Sequence, residues 1–354
     1  MRQVSQREVH MSEVEGKAVV IDRQGGPDVL RIAPARFPDP VADEVRVLVE
    51  TAGVAFGDLL VREGLTGSVR GGRVTPGYDI VGIVDAVGPH VSGIEIGARV
   101  AVRTAGRGGY ATHVISSQQF AVPVPEGVDS VSAVALVLNY VTAWQMLTRV
   151  APVGHGGSVL VHGAAGGVGS ALAELALLRG LHVMGTASPS RRSQLTDRGV
   201  VPLDRTADWW AGARAGTPGG FDAVFDGVGG RTGRKSLVLL GPGGTLVAYG
   251  ASSALREGRR DVPQLVAAAA LGPRMGALTA FRLGRGLVGY NSSTFVPAHP
   301  DWFREDLVEL LRLLQGSAIA PMIAEVLPLD LAATAHEHVA RGVAGKVVLK
   351  VAYR

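Results

Sequence analysis

Short apolar stretches alternate with glycine and proline clusters in the N-terminal part of the chain. β-branched residues dominate these stretches, and this composition is typical of strands. The predicted strands are Lys17–Ile21, Glu44–Thr51, Ile80–Val87 and Arg99–Val102. The region is therefore predicted to form a mostly antiparallel β domain.

The pattern changes near Ser130, where apolar runs begin to alternate with helical stretches. Such alternation is typical of βαβ units around a parallel sheet. Six strands are predicted, which suits a doubly wound nucleotide-binding fold. They are Ser158–His162, His182–Thr186, Val200–Leu203, Phe221–Asp226, Gly244–Gly250 and Gly286–Tyr290.

Two helices and one strand are predicted after the sixth strand. Asp301 is predicted to cap a helix that ends at Gly316 and carries its leucines on one face. A second helix is predicted over 330–342, and the valine-rich segment 345–351 is predicted to return to the first domain as a strand. The apolar segment 264–287 is open to three interpretations: a helix before the last strand, a subunit interface or a substrate wall.

Length and composition indicate two domains of the α/β class. The chain has 354 residues, of which 47% are hydrophobic and 19% charged, enough to fill two cores. The predicted division is a flexible leader over 1–16, a β domain formed by 17–129 and 292–354, and a cofactor domain over 130–291. The polar leader lacks the apolar centre of a secretory signal, and Met11 is an alternative start.

Charge and cysteine content exclude several classes of function. The net charge of +4 comes from scattered Lys and Arg rather than from a basic run, so nucleic-acid binding is not favoured. The absence of cysteine excludes disulfides, thiolate nucleophiles and sulfur-ligated zinc. The longest charge-free apolar windows, 131–141 and 158–173, are too short or too rich in glycine to span a membrane. We expect a soluble cytoplasmic protein.

A glycine-rich turn carries the strongest local signal. It joins the predicted strand Ser158–His162 to a helix of small residues, which is the context in which such a turn binds a dinucleotide. Glycines let the backbone approach a pyrophosphate, and the helix N-terminus offers free amides to it. The alternative is a merely tight turn. The predicted cofactor contacts here are Gly163, Ala164, Ala165, Gly166, Gly167, Val168 and Gly169.

The residues after the second cofactor strand favour NADPH over NADH. An NAD site places an acid there for the ribose hydroxyls, whereas here no acid occurs before Asp197. Two guanidiniums can instead grip a 2′-phosphate. The alternative is that both arginines lie on a solvated helix start. The candidate residues are Thr186, Ser188, Arg191 and Arg192.

Six ordered motifs resemble the quinone oxidoreductase branch of the medium-chain dehydrogenase/reductase family, and the likeness extends over 17–351. They are Ala52-Gly53-Val54-Ala55-Phe56-Gly57-Asp58, Pro76-Gly77-Tyr78-Asp79-Ile80-Val81-Gly82, Leu138-Asn139-Tyr140-Val141-Thr142-Ala143-Trp144, Ala164-Ala165-Gly166-Gly167-Val168-Gly169, Phe225-Asp226-Gly227-Val228-Gly229-Gly230 and Gly345-Lys346-Val347-Val348-Leu349. The resemblance implies a GroES-like catalytic domain, an inserted Rossmann cofactor domain and a nicotinamide site in the cleft between them.

The resemblance also implies an enzyme without zinc. Zinc-dependent relatives carry cysteine ligands and a Gly-His-Glu motif, but here Tyr78 stands in the place of the histidine and Asp79 in that of the glutamate. Quinone oxidoreductases commonly have Asn where Ala55 stands and often Tyr where Leu60 stands. These departures leave the proton donor unassigned.

Pocket residues are transferred from the matching motifs. Asp58 is a candidate for orienting cofactor or water, with a buried carboxylate that holds a turn as the alternative. For Tyr140, the alternative to a role in the pocket is ordinary packing of its helix. The candidate catalytic residues are Phe56, Asp58, Tyr78, Asn139, Tyr140 and Thr142. Further cofactor candidates at strand ends and in family motifs are Asp226, Gly227, Tyr249, Gly250, Asn291 and Lys346.

The implied reaction is hydride transfer from NADPH to a quinone or an α,β-unsaturated carbonyl, with no metal and no nucleic-acid partner. An enoyl-thioester or enone reductase of a biosynthetic pathway is the alternative enzyme. A catalytically silent NADPH-binding sensor or scaffold is the alternative of another class, motivated by Ala55 and Leu60. Most relatives pair through edge strands of their cofactor domains, which implies a homodimer through 286–290.

Overall fold

The computed structural model describes residues 13–66, 72–104 and 106–352, and its elements follow the change of pattern near Ser130. The elements before that point are β1 (Glu13–Ile21), β2 (Leu30–Pro38), β3 (Glu44–Val54), α1 (Phe56–Arg62), β4 (Asp79–Val87), β5 (Arg99–Arg103), β6 (His113–Ser117) and β7 (Ala121–Pro123).

The elements from Ser130 to the sixth cofactor strand are α2 (Ser130–Ala135), α3 (Val141–Gln145), β8 (Ser158–His162), α4 (Gly167–Leu178), β9 (His182–Ala187), α5 (Arg192–Thr196), β10 (Val201–Asp204), α6 (Trp209–Gly216), β11 (Phe221–Asp226), α7 (Gly230–Val238), β12 (Leu240–Ala248), β13 (Leu255–Arg256), β14 (Arg259–Arg260), α8 (Val262–Ala270), α9 (Ala277–Leu283) and β15 (Gly286–Gly289). The chain continues through α10 (Ser292–Ala298), α11 (Pro300–Gln315), β16 (Ile323–Pro328), α12 (Ala332–Arg341) and β17 (Lys346–Lys350).

The six-stranded sheet has the order β10-β9-β8-β11-β12-β15 and is parallel throughout. Numbered by appearance in this domain, the order is 3-2-1-4-5-6, that of a dinucleotide-binding fold. The strand order reverses between β8 and β11, which places the turn after β8 at the switch point where ligands bind in such sheets. The predicted doubly wound sheet is confirmed.

The N-terminal sheet contains strands from both ends of the chain. Its order is β16-β17-β3-β4-β5-β7, with β6 paired to β3. As predicted, the last strand returns to this sheet, where Val347 lies opposite Val54 in an antiparallel pair. A separate antiparallel ribbon, β1-β2, starts with Glu13 opposite Pro38.

Several sequence predictions need correction. Residues 13–16 belong to β1 rather than to a leader, while 1–12, including Met11, lie outside the described residues. The fifth cofactor strand starts at Leu240 instead of Gly244. Helix α11 begins at Pro300 after His299, so Asp301 lies in its first turn and does not cap it. Strands β2, β6, β7 and β16 were not predicted.

The segment from Ser130 to Val150 is one helix, longer than the apolar window read from the sequence. It is long and apolar enough to cross a membrane by length and composition, but 78% of its most apolar window is buried inside the protein. This burial is typical of a core helix. Two π-helical turns, Leu136–Tyr140 and Met146–Val150, interrupt its α-helical parts. Such turns are frequent at functional sites because they redirect side chains.

Candidate active site

The turn between β8 and α4 is shaped by glycine. Gly163 has a φ of 68°, which favours glycine, and its carbonyl accepts from the Gly166 amide at 2.9 Å. A Cβ at Gly169 would lie 2.1 Å from the Gly163 oxygen, so a side chain there would deform the turn. No side chain caps the N-terminus of α4 at Gly166. The turn therefore fits the pyrophosphate of a dinucleotide, whose oxygens the uncapped amides can bind.

Thr186 supports this turn from the next strand. Its hydroxyl accepts from the Gly163 amide at 3.2 Å and lies 3.1 Å from His162 Nδ1. His162 Nε2 lies 2.8 Å from the hydroxyl of Ser236, and burial lowers the pKa of this histidine to about 4. Thr186 was expected to contact a 2′-phosphate. Its side chain is instead buried and hydrogen-bonded to the turn.

The two predicted phosphate-binding arginines follow the end of β9. Arg192 is exposed and Arg191 is half-buried, and the Ser188 hydroxyl lies 3.2 Å from that of Ser190. Asp204 ends the neighbouring strand β10. Hydrogen bonds from Thr206 lower the pKa of Asp204, and the charge of Arg192 adds a smaller effect. The end of β9 therefore offers cations and hydroxyls, with one carboxylate on the adjacent strand.

Asn139 lies on the cofactor turn. A Cβ at Gly167 would be 2.5 Å from Asn139 Nδ2, so the glycine is what allows this approach. Asn139 belongs to the first π-helical turn of the long helix. One turn later, Thr142 hydrogen-bonds Tyr290, whose hydroxyl donates to Gln145 Oε1 at 2.7 Å. Asn139 is thus placed at the cofactor site, while Thr142 contacts the residue that follows β15.

The C-terminal strand brings Lys346 beside the same turn. The Gly345 amide donates to the Ala165 carbonyl at 2.9 Å, a direct backbone link between the N-terminal sheet and the cofactor turn. Lys346 Nζ donates to Asp79 Oδ2 at 2.7 Å, and both side chains are fully or almost fully buried. Asp79 Oδ1 is buried without a partner among the described residues.

Tyr78 is buried and held tightly by its neighbours. Hypothetical Cβ atoms at Gly57 and Gly106 would lie 2.9 and 2.7 Å from its ring, so these two glycines flank it closely. The ring packs with Ala55 and Leu138, and its hydroxyl hydrogen-bonds Ser293. Burial raises the pKa of Tyr78, as does the charge of Asp58. Tyr78 therefore contacts residues of both domains at the predicted active site.

Asp58 is completely buried and fully hydrogen-bonded. Oδ2 accepts from the Ala55 amide at 2.8 Å and from the Tyr110 hydroxyl at 2.9 Å, and Oδ1 accepts from the Gly77 amide at 2.9 Å. Burial raises the pKa of Asp58 to about 7, and the charge of Asp79 adds to the rise. The geometry matches the alternative stated for Asp58, a carboxylate that holds a turn together.

A second buried group lies behind Asp58. His336 Nε2 is 3.4 Å from the Tyr110 hydroxyl, and its Nδ1 is 3.4 Å from Arg62. Arg62 also donates to the Gly258 carbonyl at 2.7 Å, in the loop between β13 and β14. Burial lowers the pKa of His336 to about 3, so the ring is neutral at physiological pH. These contacts join α1 and α12 to the hairpin that follows β12.

The remaining candidates lie in different surroundings. The Tyr140 hydroxyl donates to Glu174, in the middle of α4 and away from the glycine turn. Asp226 Oδ1 accepts from the amides of Val228 and Gly229 at 2.8 and 3.0 Å, so this carboxylate supports its own loop. The Asn291 side chain caps α10. Phe56 is half-buried at the start of α1, and the half-buried Tyr249 lies against Gly227, with Gly250 exposed beside it.

The metal-binding chemistry of the site is limited. Within the described ranges, no group of three or more His, Asp or Glu side chains could hold a metal ion, and the sequence has no cysteine. The positions that correspond to zinc ligands carry Tyr78, held between glycines, and Asp79, paired with Lys346. Neither arrangement fits a zinc site.

Comparison with known proteins agrees with this geometry. Residues 41–126 match the family model described as the alcohol dehydrogenase GroES-like domain, and 198–349 match that described as zinc-binding dehydrogenase. The mouse synaptic vesicle membrane protein VAT-1 homolog-like is 35% identical over 240 residues, which cover 68% of this chain and 57% of that protein. The chain thus spans little more than half the length of this relative.

Two solved mycobacterial structures cover nearly the whole chain. A quinone oxidoreductase is 31% identical with a TM-score of 0.78, covering 95% of this chain and 99% of the other. A protein complexed with NADPH is 32% identical with a TM-score of 0.82, covering 94% and 99%. The chain, with its GroES-like domain and Rossmann domain, belongs to the medium-chain dehydrogenase/reductase family and is quinone oxidoreductase-like.

Proposed function

We propose that this protein is a zinc-independent oxidoreductase that uses NADPH to reduce a quinone or an α,β-unsaturated carbonyl. The observation that carries the proposal is that three features lie together: the glycine turn, Asn139 packed on that turn, and Tyr78 packed on Leu138, the neighbour of Asn139. NADPH fits because the turn and the uncapped α4 would hold the pyrophosphate. Arg191 and Arg192 would hold the 2′-phosphate.

The reaction needs little from the protein beyond position and electrostatics. When bound, NADPH supplies a hydride, which carries two electrons and one proton to the acceptor. The acceptor takes a second proton from solvent, so a quinone leaves as a hydroquinone and NADP⁺ remains. Asn139 and Lys346 would position the cofactor, and Tyr78 would contact the acceptor. Asp58 would support the pocket wall, because its oxygens are already occupied.

We also propose that two copies associate through β15. This strand forms an edge of the six-stranded sheet and has no partner on its outer side among the described residues. Helices α8 and α9, which precede β15 and overlap the segment 264–287, contain no buried residue and expose Val266, Leu278 and Phe281. An unpaired edge and exposed apolar side chains on the preceding helices favour a homodimer. Sedimentation as a monomer at micromolar concentration would contradict it.

The test of function is NADPH consumption with a panel of acceptors. The panel contains 1,4-benzoquinone, 9,10-phenanthrenequinone, a simple enone and an enoyl thioester, with NADH in parallel. Turnover of quinones with a preference for NADPH supports the proposal. Turnover confined to the enone or thioester indicates an ene-reductase, and NADPH binding without turnover indicates a silent cofactor-binding protein.

The cofactor preference has its own test. The double variant Arg191→Ala/Arg192→Ala removes both proposed phosphate contacts and should weaken NADPH binding at least about a hundredfold while leaving NADH binding nearly unchanged, since each charge-assisted contact contributes about 1.5–3 kcal/mol. The matched control is Arg205→Ala, because Arg205 follows the neighbouring strand β10. Equal losses for NADPH and NADH would assign the two arginines to the fold instead of the phosphate.

A further inference from the structure

A buried guanidinium lies beside Tyr78, and the proposed function does not use it. Arg103 ends β5 and is only 4% exposed. Its Nη1 donates to the carbonyls of Tyr78 at 3.0 Å and Thr104 at 2.7 Å, and Nη2 donates to the Ser292 hydroxyl at 3.2 Å. The guanidinium carbon is 4.9 Å from the centre of the Tyr78 ring, within cation–π range.

The Arg103 guanidinium forms no ion pair with a carboxylate of the described residues, although the charges of Asp79 and Asp58 act on it from further away. Its partner in the strand register is Asp79, but that carboxylate forms its ion pair with Lys346. Arg103 Nε is buried without a hydrogen-bond partner in the part of the chain that the structure describes. Burial lowers the pKa of Arg103, which reflects the cost of removing the charge from water. A buried guanidinium without an ion pair costs free energy, so its position in the cleft requires an explanation.

The proposed reaction explains why a buried guanidinium lies beside Tyr78. Hydride transfer to a conjugated carbonyl places negative charge on the acceptor oxygen, and a fixed cation in a water-excluded site stabilises such charge strongly. Lys346 and Asp79 neutralise each other at 2.7 Å, and the Asp58 carboxyl is hydrogen-bonded within its own loop. Arg103 is therefore the cation next to Tyr78 that no carboxylate pairs with directly.

We infer that Arg103 is a positioning residue for the reduction: it fixes Tyr78 in the cleft and, through the Tyr78 hydroxyl, stabilises the oxyanion that forms on the acceptor. The inference rests on the proposed function. Arg103 contacts Tyr78 at its backbone, by donating to the carbonyl, and at its ring, through the cation–π contact. It also donates to Ser292, whose neighbour Ser293 hydrogen-bonds the Tyr78 hydroxyl. Its charge also counteracts the rise that burial causes in the pKa of Tyr78.

The first experiment compares Arg103→Met with Arg103→Lys in the full-length protein. The methionine removes the charge, and the lysine keeps it. We expect Arg103→Met to lower kcat at least about tenfold with NADPH affinity unchanged, and Arg103→Lys to recover part of that loss, because lysine keeps the charge but not the planar set of donors. The control is Arg99→Met, on the same strand, whose arginine pairs with Glu50 at the surface and should be dispensable. Equal losses in kcat for both Arg103 variants would overturn the inference.

A spectroscopic probe tests the same inference without turnover. In the NADP⁺ complex, p-nitrophenol mimics the acceptor oxyanion, and its ionised fraction is read from the phenolate absorbance. The wild type should bind the probe in a more ionised form than it has in solution, and Arg103→Met should lose this shift. Tyr78→Phe and Tyr78→Phe/Arg103→Gln should bind it identically, because the glutamine removes the charge and Arg103 acts through the hydroxyl.

The outcomes separate the two proposals. A wild-type protein that ionises the probe but reduces no acceptor refutes the proposed reaction and retains the role of Arg103. A wild type that reduces quinones while Arg103→Met ionises the probe as well as the wild type does refutes the role of Arg103 and retains the reaction. If Arg103→Met does not fold, the paired Tyr78 variants decide, since a difference between them refutes action through Tyr78.

Discussion

Replacing Gly53 with alanine is expected to break the buried ion pair between Lys346 and Asp79. The new Cβ would lie 2.3 Å from Lys346 Cε and 2.4 Å from Asp79 Oδ2, so one or both charged groups must move. Both side chains are at most 2% exposed, and neither has water to move into. Separating a buried pair leaves unpaired charges and costs roughly 3–5 kcal/mol.

The assay is urea unfolding of Gly53→Ala followed by tryptophan fluorescence, together with NADPH titration. The free energy of unfolding should fall by about 3–5 kcal/mol, and NADPH affinity should fall because Lys346 adjoins the cofactor turn. The control is Gly154→Ala, since a Cβ at Gly154 meets no atom within 4 Å. A Gly53→Ala protein within about 0.5 kcal/mol of the wild type would refute the reasoning.

Three further predictions test the turn, the pH dependence and one reassigned residue. Gly169→Ala should abolish measurable NADPH binding in a fluorescence titration, because its Cβ would lie 2.1 Å from the Gly163 oxygen; retained affinity would contradict the assigned site. Burial lowers the pKa of His162 to about 4, so the folded state resists the protonation that the unfolded chain undergoes below about 6.5. The stability from this histidine is complete above pH 6.5 and falls as the pH drops, by about 2 kcal/mol at pH 5. Between pH 6.5 and pH 5, the free energy of unfolding of His162→Gln, measured by urea titration, should therefore fall by about 2 kcal/mol less than that of the wild type. An equal fall for both proteins would disprove this prediction. Tyr140→Phe should leave kcat within about twofold while lowering stability by about 1 kcal/mol, since its hydroxyl bonds Glu174 instead of the cleft; a large loss of kcat would return Tyr140 to the active site.

The sequence predicted the cofactor domain better than the N-terminal sheet for a physical reason. Parallel strands buried on both faces form continuous apolar runs, so the inner strands such as β8 and β11 could be read directly. Strand β2, with the sequence Leu-Arg-Ile-Ala-Pro-Ala-Arg-Phe-Pro, contains two prolines and mixed polarity, and only pairing with β1 makes it regular. Strand β7 has three residues and no period to detect.

The sequence predicted those site residues whose role depends on local backbone shape. It did not predict the roles that depend on tertiary contacts. Glycines at 163, 166, 167 and 169 mark the turn in any context, whereas the partner of a side chain depends on the fold. Thr186 was expected to face the cofactor, but its hydroxyl braces Gly163. Arg103 received no role from the sequence, because its strand carries an arginine at each end and only the fold buries Arg103 while leaving Arg99 partly exposed.

The position of β17 has a consequence for biosynthesis. This strand lies between β16 and β3 inside the N-terminal sheet, and Gly345, the residue before it, contacts the cofactor turn. The first half of the chain therefore leaves the ribosome with an open gap in its sheet, exposing an unpaired strand edge until β17 has been synthesised. A stop codon at Gly345 would delete that strand. It would leave the dinucleotide turn without its neighbour and keep the nascent sheet in an aggregation-prone form.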